Sequence, residues 1–341
     1  MTRFARVSKE TSGYGTAVDI SGQWTYVDFI SESIKPSNNQ LIPESVAGRN
    51  KIFASPGGYA VNGDMDLVVS PAIVWPFISA FFGTLTGFSA NASGDTYQHL
   101  YTPTGNANPT YFTLDINNDL NDAVVGNPTG RRLLGVGVNS LTFEATAGNL
   151  ATMTANVIAQ KDKLVSMSGI TPTYSIISPF SFTDGAVQIG GTTYGCVEGV
   201  RITFENNIPN DNFCLGSRFL NALWNQNLNI TGSFDISFDT WAEYKRFFGG
   251  TAGTSAEPQA TNYEGSLVIT FTGVPTTGGV GAGFTNYAMI INLPRIVYNT
   301  TGANLDRFNR IVQNVEFTAL YSVSESAAAK VTIVNMTSSG W

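Results

Sequence analysis

From Ile230 to Phe238 the chain alternates apolar and polar side chains. Ile230, Phe234, Ile236 and Phe238 share one row with Gly232, while Thr231, Ser233, Asp235 and Ser237 form the other. A period of two predicts a half-buried strand. The period then changes. Trp241, Tyr244, Phe247 and Phe248 recur at helical spacing, with Glu243, Lys245 and Arg246 on the opposite side. Gly249 follows where a left-handed cap commonly ends a helix. Thr240-Trp241-Ala242-Glu243 has the spacing of a capping box, with the threonine hydroxyl accepting from the Glu243 amide and the carboxylate from the Thr240 amide. The expected unit is a strand, a tight loop and a short amphipathic helix.

An earlier stretch, Val61 to Gly83, carries the same order of residues. Gly63 and Asp66 match Gly232 and Asp235; Trp75 and Phe81-Phe82-Gly83 match Trp241 and Phe247-Phe248-Gly249. The spacing differs only between the two groups, where a loop is expected, so an internal duplication is the expectation. Pro76 falls at the second helical residue, where its missing amide hydrogen has no intrahelical partner to lose. Trp75, Phe81 and Phe82 in the first helix, and Trp241, Phe247 and Phe248 in the second, are the expected core anchors. Replacing Trp241 by alanine is then expected to cost about 3–5 kcal/mol. Leu67 to Phe88 has no charge and is long enough to span a bilayer. Strand alternation, Pro71 and Pro76 argue against a span, as do the charges at equivalent places in the second copy.

The remainder reads as many short strands separated by glycine-rich loops. Residues up to Thr25 are expected to be an N-terminal arm, with Lys9, Glu10, Gly13, Tyr14 and Gly15 as its inter-subunit residues. Phe29 to Ile34 mirrors Val200 to Phe204, each followed by a long loop; Ile42-Pro43 with Gly48-Arg49 corresponds loosely to Ile208-Pro209 with Gly216-Ser217-Arg218. Thr84 to Pro109 is expected to be a polar excursion, Tyr111 to Ile116 a strand and Asn117 to Arg132 a loop. Leu133 to Thr146 and Ala151 to Ile158 flank Gly148-Asn149 as a hairpin. Lys161 to Thr173 is the expected connection between halves. Leu267 to Phe271, Tyr287 to Leu293, Asn314 to Ser322 and Ala329 to Val334 complete the second half, with the last two as a hairpin. The fold class expected is mainly β: two tandem β-sandwich or barrel domains, each with one short flanking helix. The boundaries are 1–25 for the arm, 26–165 for the first domain and 166–341 for the second.

Composition narrows the function. Charged residues make up 13% of the 341 residues, about half the usual share of roughly 25%, which suits a surface buried against copies of itself. The net charge of −7 and the lack of any basic run argue against gripping nucleic acid. Cys196 and Cys214 are expected to be buried, reduced thiols, with a disulfide as the alternative. Met1 to Arg6 has no apolar core of the kind a secretory leader carries, so the expected site of synthesis is the cytoplasm of the cell that makes it. Asn229 and Asn299 fit the glycosylation pattern but mean little without a secretory leader.

Catalytic chemistry finds little to work with. The one histidine, His99, lies in an expected polar loop and is assigned a structural or solvent role. Close cysteine pairs for zinc are missing. Gly278 to Gly283 lies between strands, not between a strand and a helix, so the dinucleotide motif lacks its context. Asp64 with Asp66, or Asp235 with Asp239, could serve a glycosidase. Asp64 becomes Ser233 in the second copy, so that pair does not recur. No catalytic residue, metal or cofactor is expected. The alternative class is a carbohydrate-binding or glycan-cleaving β-sandwich protein.

The sequence resembles the tail tube proteins of long-tailed bacteriophages. The resemblance rests on Lys9-Glu10 with Gly13-Tyr14-Gly15, the strand opening Gly63-Asp64-Met65-Asp66-Leu67, Phe81-Phe82-Gly83 after a short helix, Gly135 to Thr146 before a hairpin, and Val315 to Tyr321 near the end. It implies a β-sandwich with one flanking helix, assembled into rings that stack as a hollow tube in the virion tail. Members with a single domain place six to a ring. Two copies in one chain imply three chains to a pseudo-sixfold ring, with a hexamer of two-domain chains as the other possibility. The implied partners are further copies, the tape-measure protein and the terminator and tip proteins. Viral DNA would pass along an acidic lumen without specific binding.

Overall fold

The structure is a computed structural model that describes the chain except residues 1–2, 19–22, 45–49, 52, 84, 91–95, 104, 106–108, 277–284, 304–309 and 339–341. Gly48, Arg49 and the Gly278 to Gly283 segment lie outside the described residues.

The protein is mainly β. The first half contains β1 (Phe4–Lys9), β2 (Thr25–Val27), β3 (Phe29–Glu32), β4 (Lys35–Asn38) and β5 (Tyr59–Val68). Helix α1 (Trp75–Phe82) follows, then β6 (Leu85–Ala90), β7 (Tyr97–Tyr101), β8 (Phe112–Asp122), β9 (Gly126–Thr146), β10 (Thr152–Ala159) and β11 (Lys161–Ser166). The second half contains β12 (Gly185–Ile189), β13 (Thr192–Thr193), β14 (Val197–Glu205), β15 (Asn229–Ser237) and α2 (Ala242–Phe248). It closes with β16 (Gly265–Pro275), β17 (Asn286–Ala303), β18 (Val312–Ala319) and β19 (Lys330–Asn335). Leu67 to Phe88 thus becomes a strand end, a turn, α1 and the start of β6. Among the described residues no helix is long and apolar enough to cross a membrane.

Strand β9 holds the first half together because it belongs to two ladders in succession. Its early residues lie between β8 and β11, and its later residues lie between β10 and β14. Strand β17 runs the same way, first between β16 and β19 and then beside β18. Around these strands the ladders of the two halves have the same registers. Gly63 faces Val157 and Asp66 faces Thr154; Gly232 faces Phe317 and Asp235 faces Asn314. The β3–β5 ladder skips Ile30, as β14–β15 skips Glu198. The β9–β10 ladder skips Asn139, as β17–β18 skips Asn299. Such bulges bend a strand and fix its pairing, so each half is bent at matching places.

Gly63 and Gly232 sit where neighbouring backbone approaches most closely. A Cβ at Gly63 would lie 2.5 Å from Ile34 Cα, and one at Gly232 would lie 2.5 Å from the Arg201 carbonyl oxygen. No side chain fits there, which is why both strands interrupt their apolar row with glycine.

Several loops expected from sequence are strands. Asn117 to Arg132 continues β8 and begins β9 as a ribbon, turned by Asp122, whose Oδ1 accepts from the Val124 and Val125 amides at 2.9 and 2.8 Å. The polar excursion contains the β6–β7 hairpin, which docks on β19 of the other half. Lys161–Ser166 is β11. The last two strands do not form a hairpin ladder; β18 and β19 pair with different parts of β17. The largest cluster of buried apolar side chains runs continuously from Ala5 and Val7 through Phe204 to Val331 and Ile333.

Candidate assembly interface

The two halves meet along β9 and β14, which pair antiparallel. Phe143 stands opposite Ile202, Thr142 opposite Thr203 and Leu141 opposite Phe204. The threonine hydroxyls are 3.1 Å apart, so side chains of that pair touch on one face. On the other face Phe204 takes the edges or faces of Phe81, Phe82 and Phe143, with ring centres 6.1, 5.7 and 6.0 Å away. Asn206 closes the junction: its backbone N–H donates to the Asn139 carbonyl (2.8 Å) and its Nδ2 donates to the Phe81 carbonyl (3.0 Å). The second half therefore covers both the free edge of β9 and the end of α1. All eight residues of α1 are buried, including Trp75, Phe81 and Phe82.

Helix α2 is placed differently. Trp241 is 60% exposed and Phe247 36% exposed, and Phe248 is half-buried, so Trp241 and Phe247 do not anchor the core of this chain. They form an aromatic row with Phe238 and Tyr244, with Trp241 ring centres 4.9 and 5.5 Å from those two. The capping box does not form. Ala242 N–H reaches Thr240 Oγ1 at 3.4 Å, while Glu243 turns inward and is the one buried residue of the helix. Its carboxylate accepts from the Tyr194 hydroxyl, from the Tyr298 hydroxyl at 2.5 Å and from Arg246 Nη1 at 2.5 Å. Burial, with Glu243 beside them, pushes both tyrosines well above the usual phenol range. Arg246 also stacks over Tyr263, 5.4 Å from the ring centre. Both helices end on a glycine with positive φ, Gly83 at 87° and Gly249 at 88°.

The N-terminal stretch makes its contacts within the chain. Lys9 is the last residue of β1 and pairs with Phe112 of β8. Glu10 is buried: Oε1 accepts from Thr113 Oγ1 (2.9 Å) and the Gly135 amide (2.8 Å), and Oε2 from the Gly15 amide (2.8 Å). Burial outweighs these bonds and holds its pKa above the usual carboxylate range. Tyr14 packs on Tyr111 with ring centres 4.7 Å apart. Gly13 has φ of 116°, and a Cβ at Gly15 would collide with Gln160. Within this chain these residues form a strand and a fastened turn, because a carboxylate here finds donors on β8, on β9 and in its own turn.

Of the carboxylates weighed for glycosidase chemistry, Asp64, Asp66 and Asp235 are used in cross-strand bonds, and Asp239 accepts locally from the Ser237 hydroxyl at 3.4 Å. Asp66 accepts from Thr154 (2.7 Å) and Ser31 (2.5 Å), Asp64 from Asn156 (2.6 Å), and Asp235 from Asn314 (2.7 Å). His99 lies on β7 and is buried, not in a loop. Its Nε2–H faces two acceptors, Asn335 Oδ1 at 3.1 Å and the Thr337 carbonyl at 3.0 Å, and burial lowers its pKa. Cys196 and Cys214 are exposed free thiols, not buried ones. Sequence reasoning missed one buried ion cluster, in which Arg6 and Arg132 both bond Asp115 and Arg6 stacks 4.0 Å over Trp24. Its members are too far apart in sequence for any local signal. Among the described residues no three His, Cys, Asp or Glu side chains gather as a metal site. No curated protein matches the chain. A profile of the family described as phage tail tube protein matches residues 3–319.

Proposed function

The chain belongs to the phage tail tube family, a structural component of the virion tail, and from that premise we propose that copies of it assemble into rings that stack as the hollow tube for the phage genome. The family match across nearly the whole chain carries this reading. We assign the two halves, residues 26–165 and 166–341, to tandem tube-like domains, supported by the matching registers and bulges. Three chains then supply six tube units per ring. Each ring contacts rings above and below, and the tube's ends contact the tape-measure, terminator and tip proteins. The protein acts as a wall and not as a catalyst, and it is made in the host cytoplasm.

Negative-stain electron microscopy of the purified protein at rising concentration, with light-scattering mass, tests this. Hollow rings or tubes with a subunit mass of three chains per ring are expected. A strictly monomeric protein at high concentration, also in the presence of the tail's initiating proteins, would overturn the assembly.

A further inference from the structure

Resting on the assembly reading above, the junction inside the chain supplies a pattern for a contact between chains. Strand β14 pairs with β15 as β3 and β4 pair with β5: Ile230 faces Phe204 where Val61 faces Pro36, and Thr231 faces Thr203 where Asn62 faces Lys35. Strand β18 pairs with β17 as β10 pairs with β9: Thr142 faces Thr154 where Gly302 faces Asn314. In the first half the later part of β9 has β14 on its outer edge. In the second half the corresponding edge of β17, Thr300 to Ala303, has no partner strand among the described residues, and neither has the outer edge of β3 and β4. All of β4 is exposed, and Ile30 is 59% exposed. The aromatic row of α2 lies open where, on α1, Phe204 and Asn206 of the other half cover Phe81 and Phe82.

We propose that β3 and β4 of a second copy of this chain pair antiparallel with the free edge of β17 and cover the end of α2. The register follows from the internal junction: Thr300 opposite Ser37, Thr301 opposite Pro36, Gly302 opposite Lys35 and Ala303 opposite Ile34. Asn38 stands where Asn206 stands, so its amide nitrogen reaches the Phe247 carbonyl. The contact is head to tail, with a different surface on each side, and therefore closes into a ring or runs on as a filament. Pro36 and Lys35 keep the edge from indiscriminate pairing in the free chain, and Pro36 leaves this ladder one donor short of its internal counterpart. The Ile34 amide is held meanwhile by the Glu32 carboxylate at 2.9 Å.

Cysteine pairing tests the register, in chains whose exposed Cys196 and Cys214 are replaced by serine. One preparation carries Lys35→Cys and another Gly302→Cys, where a Cβ meets nothing within 4 Å. Oxidation of the mixture should give a disulfide-linked dimer, at least severalfold more than Lys35→Cys with Thr300→Cys. Thr142→Cys with Thr203→Cys, the internal counterpart, should close within one chain. For the unaltered protein, hydrogen exchange should slow at 33–38 and 298–303 on assembly. Rings or tubes that form with no Lys35–Gly302 dimer and no protection at those two segments would overturn this contact and leave the assembly standing. No assembly under any condition would overturn both.

Discussion

At the level of single residues, the buried positions make predictions that exposed ones do not. His99 is the chain's one histidine, so its ring gives one unambiguous resonance. In the unfolded chain an imidazole takes up a proton near pH 6.5, whereas burial lowers the folded value. Above that pH both states are neutral and stability is complete. As pH falls below it, the unfolded state binds a proton that the folded state refuses, and stability drops. The urea midpoint of the wild type should therefore fall more between pH 7 and pH 5 than that of His99→Gln. A ring titrating at or above pH 6.5 in the folded protein would sink the argument. Gly232 makes a second case. Alanine there places a methyl against the Arg201 carbonyl and the Phe317 ring, both at 2.5 Å, and should cost about 1–3 kcal/mol in urea denaturation. Gly302→Ala meets open space and should stay within about 0.5 kcal/mol in the unassembled chain. Equal costs at the two glycines would show that the close approach at Gly232 is absent.

The two helices separate what local sequence says from what packing decides. The change of period from two to helical spacing makes each strand and helix legible, and the paired glycines, aspartates and Phe-Phe-Gly runs align the two halves. Those signals are local. Which helix is covered is not local: α1 is sealed by Phe204 and Asn206, more than a hundred residues away, and α2 has no such cover among the described residues. Glu243 likewise leaves the capping box for Arg246 and for Tyr194 and Tyr298, two partners that no window of ten residues around it contains. The β8–β9 ribbon was illegible for the opposite reason. It projects beyond the core, so its faces carry no apolar alternation, and Leu120 and Val124 are 66% and 94% exposed. These placements set the expected costs. Trp75→Ala should destabilise the unassembled chain by about 3–5 kcal/mol, while Trp241→Ala should cost less than about 1 kcal/mol there and weaken assembly instead. Glu243→Ala strands Arg246, which is 18% exposed on its side chain, and should cost about 3–5 kcal/mol. Glu243→Leu with Arg246→Met should cost less than Glu243→Ala, since no lone charge remains. Urea midpoints of the four variants check the order, and a Trp241→Ala loss matching that of Trp75→Ala would place α2 in the core after all.

For the whole molecule, low charge and a negative balance act together. A chain with 13% charged residues has few groups to desolvate when sheet edges and an aromatic helix face are buried against another copy, which favours large contacts. Its net charge of −7 recurs in every copy of an assembly, so a tube accumulates negative charge along its length. Phosphates are repelled by such a field, most strongly at low ionic strength where the screening length is greatest. A conduit for DNA gains from this, because a polyanion that does not adhere to the wall is free to slide. Assembled protein should accordingly leave the mobility of linear duplex DNA unchanged in a gel at about 50 mM salt, where basic proteins bind hardest. The converse outcome is equally specific. A lumen lined with exposed lysine and arginine would retard the DNA at low salt and release it steeply as salt rises, with a slope that counts the phosphates contacted. Retardation of that kind would mean that basic side chains are gathered on a surface the DNA reaches, and the argument from net repulsion would then fail.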